Sequence, residues 1–177
     1  LEVENYDFKI WDNPNSMIED IRNKDLNLSL CRVVAGYSWR WQSKGCETIE
    51  QAVREGLEDI ELDGRKYVWN MSNQEWILRE GAVNEIGCVH TTQGYDLNYV
   101  AVIFGHEIDY DDESDSIVID RNKFFDSKVK DGVDDDTLKQ YIVNSYKVMM
   151  TRGIKGCYVY ACNPRLQNYL KRFIAKA

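Results

Sequence analysis

An α/β fold, with a mainly parallel sheet flanked by helices, is predicted by three observations. Nearly continuous apolar runs at residues 30–35, 86–89, 100–104 and 157–162 have the length and composition of strands buried on both faces. Stretches with apolar residues at helical spacing lie among them, so strands and helices alternate along the chain. The chain also opens strand, helix, strand, and parallel neighbours need such a crossover. At 177 residues, 44% apolar and 12% aromatic, one compact domain over residues 1–177 is expected.

Residues 6–11 alternate apolar and polar like a strand, and Asp12-Asn13-Pro14-Asn15 stops it. Ser16 is then a capping residue for a helix with Met17, Ile18, Ile21 and Leu26 on one side. After the strand at 30–35 and Gly36, residues 37–81 read as a Trp-rich insertion. In it Tyr37, Trp39 and Trp41 form one face of a strand, residues 48–57 a short helix, and residues 60–69 a hairpin turning on Asp63-Gly64. Trp41, Trp69 and Trp76 are expected to build a small satellite core, with base stacking as the rival use.

The strands at 86–89 and 100–104 resume the sheet, and a second insertion over about 107–135 contains an acidic β-hairpin. Asp109, Asp111 and Asp115 faintly suggest a calcium loop, but the glycine at loop position six and the closing glutamate are missing. Asp134, Asp135 and Asp136 put negative charge at the start of a helix whose inward stripe reads Leu138, Tyr141, Ile142, Ser145, Val148 and Met149, and Gly153 or Gly156 ends it. A strand at 157–162 and a helix with Leu166, Tyr169, Leu170 and Phe173 facing inward complete the chain.

The formal net charge of -8 argues against an independent nucleic-acid binder, because phosphate contacts need a basic face. Much of that acidity is concentrated at residues 109–120 and 131–136. Five cysteines without a Cys-x-x-Cys pair read as reduced thiols of a cytoplasmic protein, and with only His90 and His106 beside them a metal site is not expected. No signal-like or membrane-spanning apolar run is present, and the start at Leu1 is read as a cut from a longer chain.

Two segments carry candidate chemistry. In open α/β sheets ligands bind beyond the carboxyl ends of strands, and residues 90–96 are expected at such a place. Their hydroxyls, Gln93 amide and Gly94 suit sugar and phosphate oxygens. Arg152 closes the helix over 144–152. There it either offsets the helix dipole or offers its guanidinium to a phosphate held by another domain.

Residues 89–97 and 144–153 resemble motifs V and VI of superfamily 1 helicases. Residues 32–41, 84–104 and 144–170 are similar to the C-terminal part of a mainly bacterial family of P-loop ATPases, the Schlafen-type (group 3) DNA/RNA helicase domains. The resemblance runs over most of the chain and implies a RecA-like second motor domain. It also implies that Arg152 contacts the γ-phosphate and Gln93 assists turnover, while Gly94, Asp96, Thr151 and Tyr146 hold the nucleotide, Asp96 at its ribose. His90, Thr91 and Thr92 fall where a nucleic-acid backbone is touched. Gly153 departs from the pattern, which usually has alanine.

No G-x-x-x-x-G-K-S/T sequence and no acidic Walker B strand occur, so the chain alone is expected to hydrolyse nothing. The resemblance implies ATP and Mg²⁺ in the full-length protein, a Walker A/B domain preceding Leu1, and single-stranded DNA or RNA as partner. The rival readings are an ATP-dependent switch or signalling module and a protein-interaction domain.

Overall fold

The computed structural model describes residues 5–71 and 75–177. Residues 1–4 and 72–74 of the Trp-rich stretch lie outside that description. In chain order the elements are β1 (Asp7–Ile10), α1 (Pro14–Leu28), β2 (Cys31–Ala35), α2 (Ile49–Glu55), β3 (Ile60–Leu62), β4 (Arg65–Tyr67), β5 (Ile86–Gly87), α3 (Val89–Thr92), β6 (Leu97–Phe104), β7 (Ile108–Asp111), β8 (Ser116–Ile119), α4 (Ser127–Lys130), α5 (Asp135–Met150), β9 (Gly153–Ala161), α6 (Pro164–Leu170) and β10 (Ala175–Lys176), with short 3₁₀ turns between some of them.

The main sheet is six-stranded, in the order β10-β1-β9-β6-β2-β5, with every pairing parallel. β1 and β2 thus share a sheet without being neighbours, since β9 and β6 lie between them. Alternation along β6 divides the interior. Val100, Val102 and Phe104 point to one face with Leu138, Ile142, Tyr146 and Met149 of α5. Ala101 and Ile103 point to the other with Met17, Ile18 and Ile21 of α1. Each of those α1 side chains is at most 1% exposed, and burial of this kind stabilises by roughly 1.5–3 kcal/mol per residue.

Local chemistry sets the element ends, with some departures from expectation. The cap of α1 is Asn13, whose Oδ1 accepts from the Ser16 N–H at 2.8 Å, and not Ser16 itself. Leu26 is 85% exposed because α1 has turned it away from the sheet by then. Residues 37–41 form no strand; they run irregularly from the carboxyl end of β2. Thr48 caps α2, and the hairpin β3-β4 turns on Asp63 (φ 45°) and Gly64 (φ 76°) as its Asp-Gly pair foretold.

The tryptophans do not form a core of their own. Trp69 joins the α1 face and Trp76 the α5 face, so this stretch is welded to both layers. In the acidic hairpin β7-β8, Asp109 is engaged by Arg165 at 2.7 Å and Asp111 by the Ser114 hydroxyl at 2.6 Å. Among the described residues no group of three or more His, Cys, Asp or Glu is arranged to hold a metal, and no helix is long and apolar enough to cross a membrane.

α5 is capped by Asp134, whose Oδ1 accepts from the Thr137 N–H at 2.7 Å. Its buried stripe is Leu138, Ile142, Tyr146 and Met149, while Tyr141 and Val148 are 46% and 37% exposed. β9 begins at Gly153, four residues earlier than the apolar run, and Phe173 is 46% exposed beyond the end of α6.

Candidate functional site at the amino edge of the sheet

The segment after β5 first leaves the carboxyl side of the sheet and then comes back. α3 starts at Val89, packs beside α5, and returns the chain to the amino end of β6. The turn at 93–96 therefore lies at the amino edge, not beyond a carboxyl end as expected. The short helix exists because Cys88 and Thr91 cap it reciprocally: Thr91 Oγ1 accepts from the Cys88 N–H at 2.9 Å and donates to the Cys88 carbonyl at 2.8 Å. The Thr92 hydroxyl reaches the same carbonyl at 3.4 Å. Both threonines are at most 2% exposed, so neither hydroxyl faces solvent.

Gln93, Gly94 and Asp96 are exposed. Gly94 has φ 83°, a conformation that favours glycine, and space is open around it. Immediately after Asp96, the Leu97 N–H donates to the Arg152 carbonyl at 2.8 Å. The turn and the end of α5 are thereby tied backbone to backbone. Asn98 fastens the same edge to the end of α1, its side-chain amide donating to the carbonyls of Leu28 and Ser29.

At the end of α5 the Thr151 hydroxyl donates to the Val148 carbonyl at 2.9 Å, and Arg152 Nε donates to the same oxygen at 3.1 Å. The guanidinium thus sits against the negative end of the helix, where a cation is favoured. It also remains partly exposed at the edge that carries Gln93 and Asp96.

The departure at Gly153 has a steric cause. β6 pairs with β9 through Leu97↔Gly153 and then Tyr99↔Gly156, so β9 carries an extra residue there. A Cβ on Gly153 would stand 2.1 Å from the Gly156 carbonyl oxygen. The bulge leaves no room for the alanine that the motif usually has.

Tyr146 is not brought to this edge. It is 2% exposed, donates to Glu107 Oε1 and accepts from the Gly105 N–H at 2.9 Å, while its ring stacks on Phe104. These partners belong to the carboxyl edge. There β2 departs toward β5 and β6 toward β9, in opposite directions, which makes the gap between β2 and β6 the topological switch point of the sheet. The gap is filled. A Cβ on Gly36 would stand 2.1 Å from the Tyr146 hydroxyl, and one on Gly105 would stand 2.3 Å from Ser38 Cβ. Glu107 is fully buried, and desolvation holds its carboxyl above the usual range, against the hydrogen bond from Tyr146. Burial first, then the Glu107 charge, pushes the Tyr146 phenol up. Sequence reasoning missed Glu107; the signal was a glutamate lodged between Phe104-Gly105 and the apolar start of β7.

His90 stands on the carboxyl side of α3. It is exposed, 4.0 Å from Asp126 through Nε2, with its ring edge-on to Tyr37. A groove of about 570 Å³ between α3, α4 and α5 joins the two ends, lined among others by His90, Gln93, Lys128, Asn144 and Val148.

An all-parallel sheet with helices on both faces, and Gln93, Asp96 and Arg152 near where two strands begin, define an α/β domain with a polar amino edge. The family model for the Schlafen group 3, DNA/RNA helicase domain matches residues 1–163, and the chain belongs to that family. The chain is also 33% identical over 181 residues to a Saccharomyces cerevisiae protein, Uncharacterized protein YPL245W. The match covers 97% of this chain and 38% of that protein, so the chain spans well under half of the relative's length. No solved structure matches.

Proposed function

We infer that this domain is the second, RecA-like motor domain of a superfamily 1-type ATPase that acts on DNA or RNA. It completes an ATP site whose Walker A and B elements another domain supplies. The reading is carried by the backbone bond from Leu97 to Arg152, which sets the motif V turn and the motif VI arginine side by side at one edge. The side chains there suit a nucleotide: a guanidinium for phosphate oxygens, the Gln93 amide, an unobstructed Gly94 backbone, and an Asp96 carboxylate for ribose hydroxyls. Mg²⁺ and ATP, once bound, supply the polarised phosphoryl group. Closure of the two domains lifts the Arg152 guanidinium from its own helix end onto that group, which makes turnover depend on closure. Thr151, bonded to the same helix end, orients the arginine. The Trp-rich and acidic stretches are insertions in this motor frame.

Single-stranded DNA or RNA added to the full-length protein should raise its ATP turnover several-fold. Turnover indifferent to both polymers would remove the motor reading. A second reading, an ATP-dependent switch that tracks no strand, is favoured by the net charge of -8 and predicts that indifference.

A further inference from the structure

At the carboxyl edge the packing around Glu107 leaves a cavity of about 50 Å³, enough for a few waters or one small polar head group. The loop after β2, α3, the segment leading into α4, and α5 all contribute to its wall. Tyr37, Phe124, Tyr141 and Tyr146 bring rings to it, and the Tyr37 ring lies 5.8 Å from that of His90 and 6.2 Å from that of Phe124, centre to centre. Glu107 and Asp126 bring carboxyls. The chain holds 22 lysines and arginines, yet none is among the described residues that line this cavity, and His90 is the one basic side chain there.

Both carboxyls keep an oxygen in reserve. Glu107 is fully buried; Tyr146 donates to its Oε1, whereas Oε2, near Ser38, has no partner in hydrogen-bonding geometry. Asp126 uses Oδ1 to accept from the N–H groups of Lys128 and Val129 at the start of α4, and its Oδ2 faces the His90 ring at 4.0 Å. A buried carboxyl without a counter-charge is costly, and desolvation accordingly disfavours the charged form of Glu107. An anionic ligand would add repulsion. A wholly apolar one would leave the Glu107 oxygen unsatisfied. A cation with N–H donors supplies what the cavity lacks, and the electron-rich rings around it favour the same charge.

The cavity also has a way out. It shares Val89, His90, Val129, Tyr141 and Ser145 with the groove between α3, α4 and α5, which continues past Val133 and Val148. A head group in the cavity therefore has an apolar track behind it for an unbranched chain. We propose that cavity and groove together bind a primary ammonium on an unbranched alkyl chain, its nitrogen at Glu107 and Asp126 and its carbons against the valines. This goes beyond the motor reading and does not rest on it.

The test is calorimetric titration of n-butylammonium chloride into the full-length protein, with 1-butanol and butyrate as uncharged and anionic counterparts. Butylammonium should bind in the millimolar range or tighter, and both counterparts at least about tenfold more weakly. Glu107→Gln keeps the shape and removes the charge, and should weaken butylammonium at least about tenfold. Ser145→Leu fills the cavity from a partly exposed position on α5 and should abolish binding with a melting temperature near that of the parent, which keeps the proposal testable if the Gln variant folds poorly. Nα-acetyl-lysine amide, titrated in parallel, identifies the source: tighter binding than butylammonium assigns the ammonium to a protein side chain, and weaker binding assigns it to a free amine. No butylammonium binding by about 10 mM would overturn the site in favour of a water-filled cavity. Butanol bound as tightly as butylammonium, or butylammonium affinity unchanged in both variants, would overturn it as well. Failure of the motor reading has a separate signature, since it shows as ATP turnover that no strand stimulates.

Discussion

At the carboxyl edge, between β2 and β6, a buried carboxyl, a buried phenol and two glycines without room for a side chain occupy the place where open α/β sheets usually keep a ligand crevice. At the amino edge, where paired β6 and β9 begin, the Leu97 N–H bonds the Arg152 carbonyl, Gln93 and Asp96 are exposed, and Arg152 is partly so. One edge buries its polar groups around a small cavity; the other carries them at or near the surface. The contrast shows that strand topology alone does not locate a site, because whether side chains close a crevice decides what can enter it.

The difference can be broken from either side. The largest change in stability is expected at the filled edge. Tyr146→Ala removes a fully packed ring and should cost about 3–5 kcal/mol in denaturant unfolding, whereas Tyr146→Phe should cost about 1–3 kcal/mol by stranding the Gly105 N–H and Glu107. Nucleotide affinity of the full-length Phe variant should stay unchanged. Lost affinity at unchanged stability would return Tyr146 to the nucleotide site.

Gly153→Ala probes the open edge. Its Cβ meets the Gly156 carbonyl, so the bulge in β9 must shift, at a cost of roughly 1–3 kcal/mol. An alanine variant as stable as the parent would mean that the bulge does not dictate the glycine.

A subtler test uses pH. The Glu107 carboxyl titrates above 4.5 when folded, so the native state keeps a proton that the unfolded chain has already lost. Its contribution is fully present below 4.5 and falls as pH rises toward the folded value, by up to about 1.4 kcal/mol per pH unit. Glu107→Gln should flatten that part of the wild-type stability profile, and parallel profiles for the two proteins would contradict the assignment. Smallest is the α1 cap: Asn13→Ala should cost about 1 kcal/mol, and Ser16→Ala less than about 0.5 kcal/mol.

The central strands were legible because a parallel sheet covered on both faces needs nearly continuous apolar runs, and residues 31–35, broken only by Arg32, and 100–104 are such runs. Strand order was not legible, since the separation of β1 from β2 depends on where later strands insert. Tyr37, Trp39 and Trp41 alternate like a strand, yet tertiary packing against Trp69, Phe124 and His106 overrides the pattern. α3, α4 and β10 are too short to show a period. On α5 the spacing put Tyr141 inward, but the buried ring is Tyr146, held by Glu107 and Gly105. At the candidate site the residue types were readable, but the bond joining Leu97 to Arg152 is a long-range contact that local spacing does not encode.

ATP turnover by the full-length protein carrying Arg152→Ala, measured beside ATP affinity and melting temperature, bears most directly on the amino edge as half of a nucleotide site. The account predicts turnover reduced at least about a thousandfold, with affinity and melting temperature near those of the parent. Turnover that persists, or that falls only in step with a lowered melting temperature, would show that Arg152 serves its own helix end and nothing beyond it.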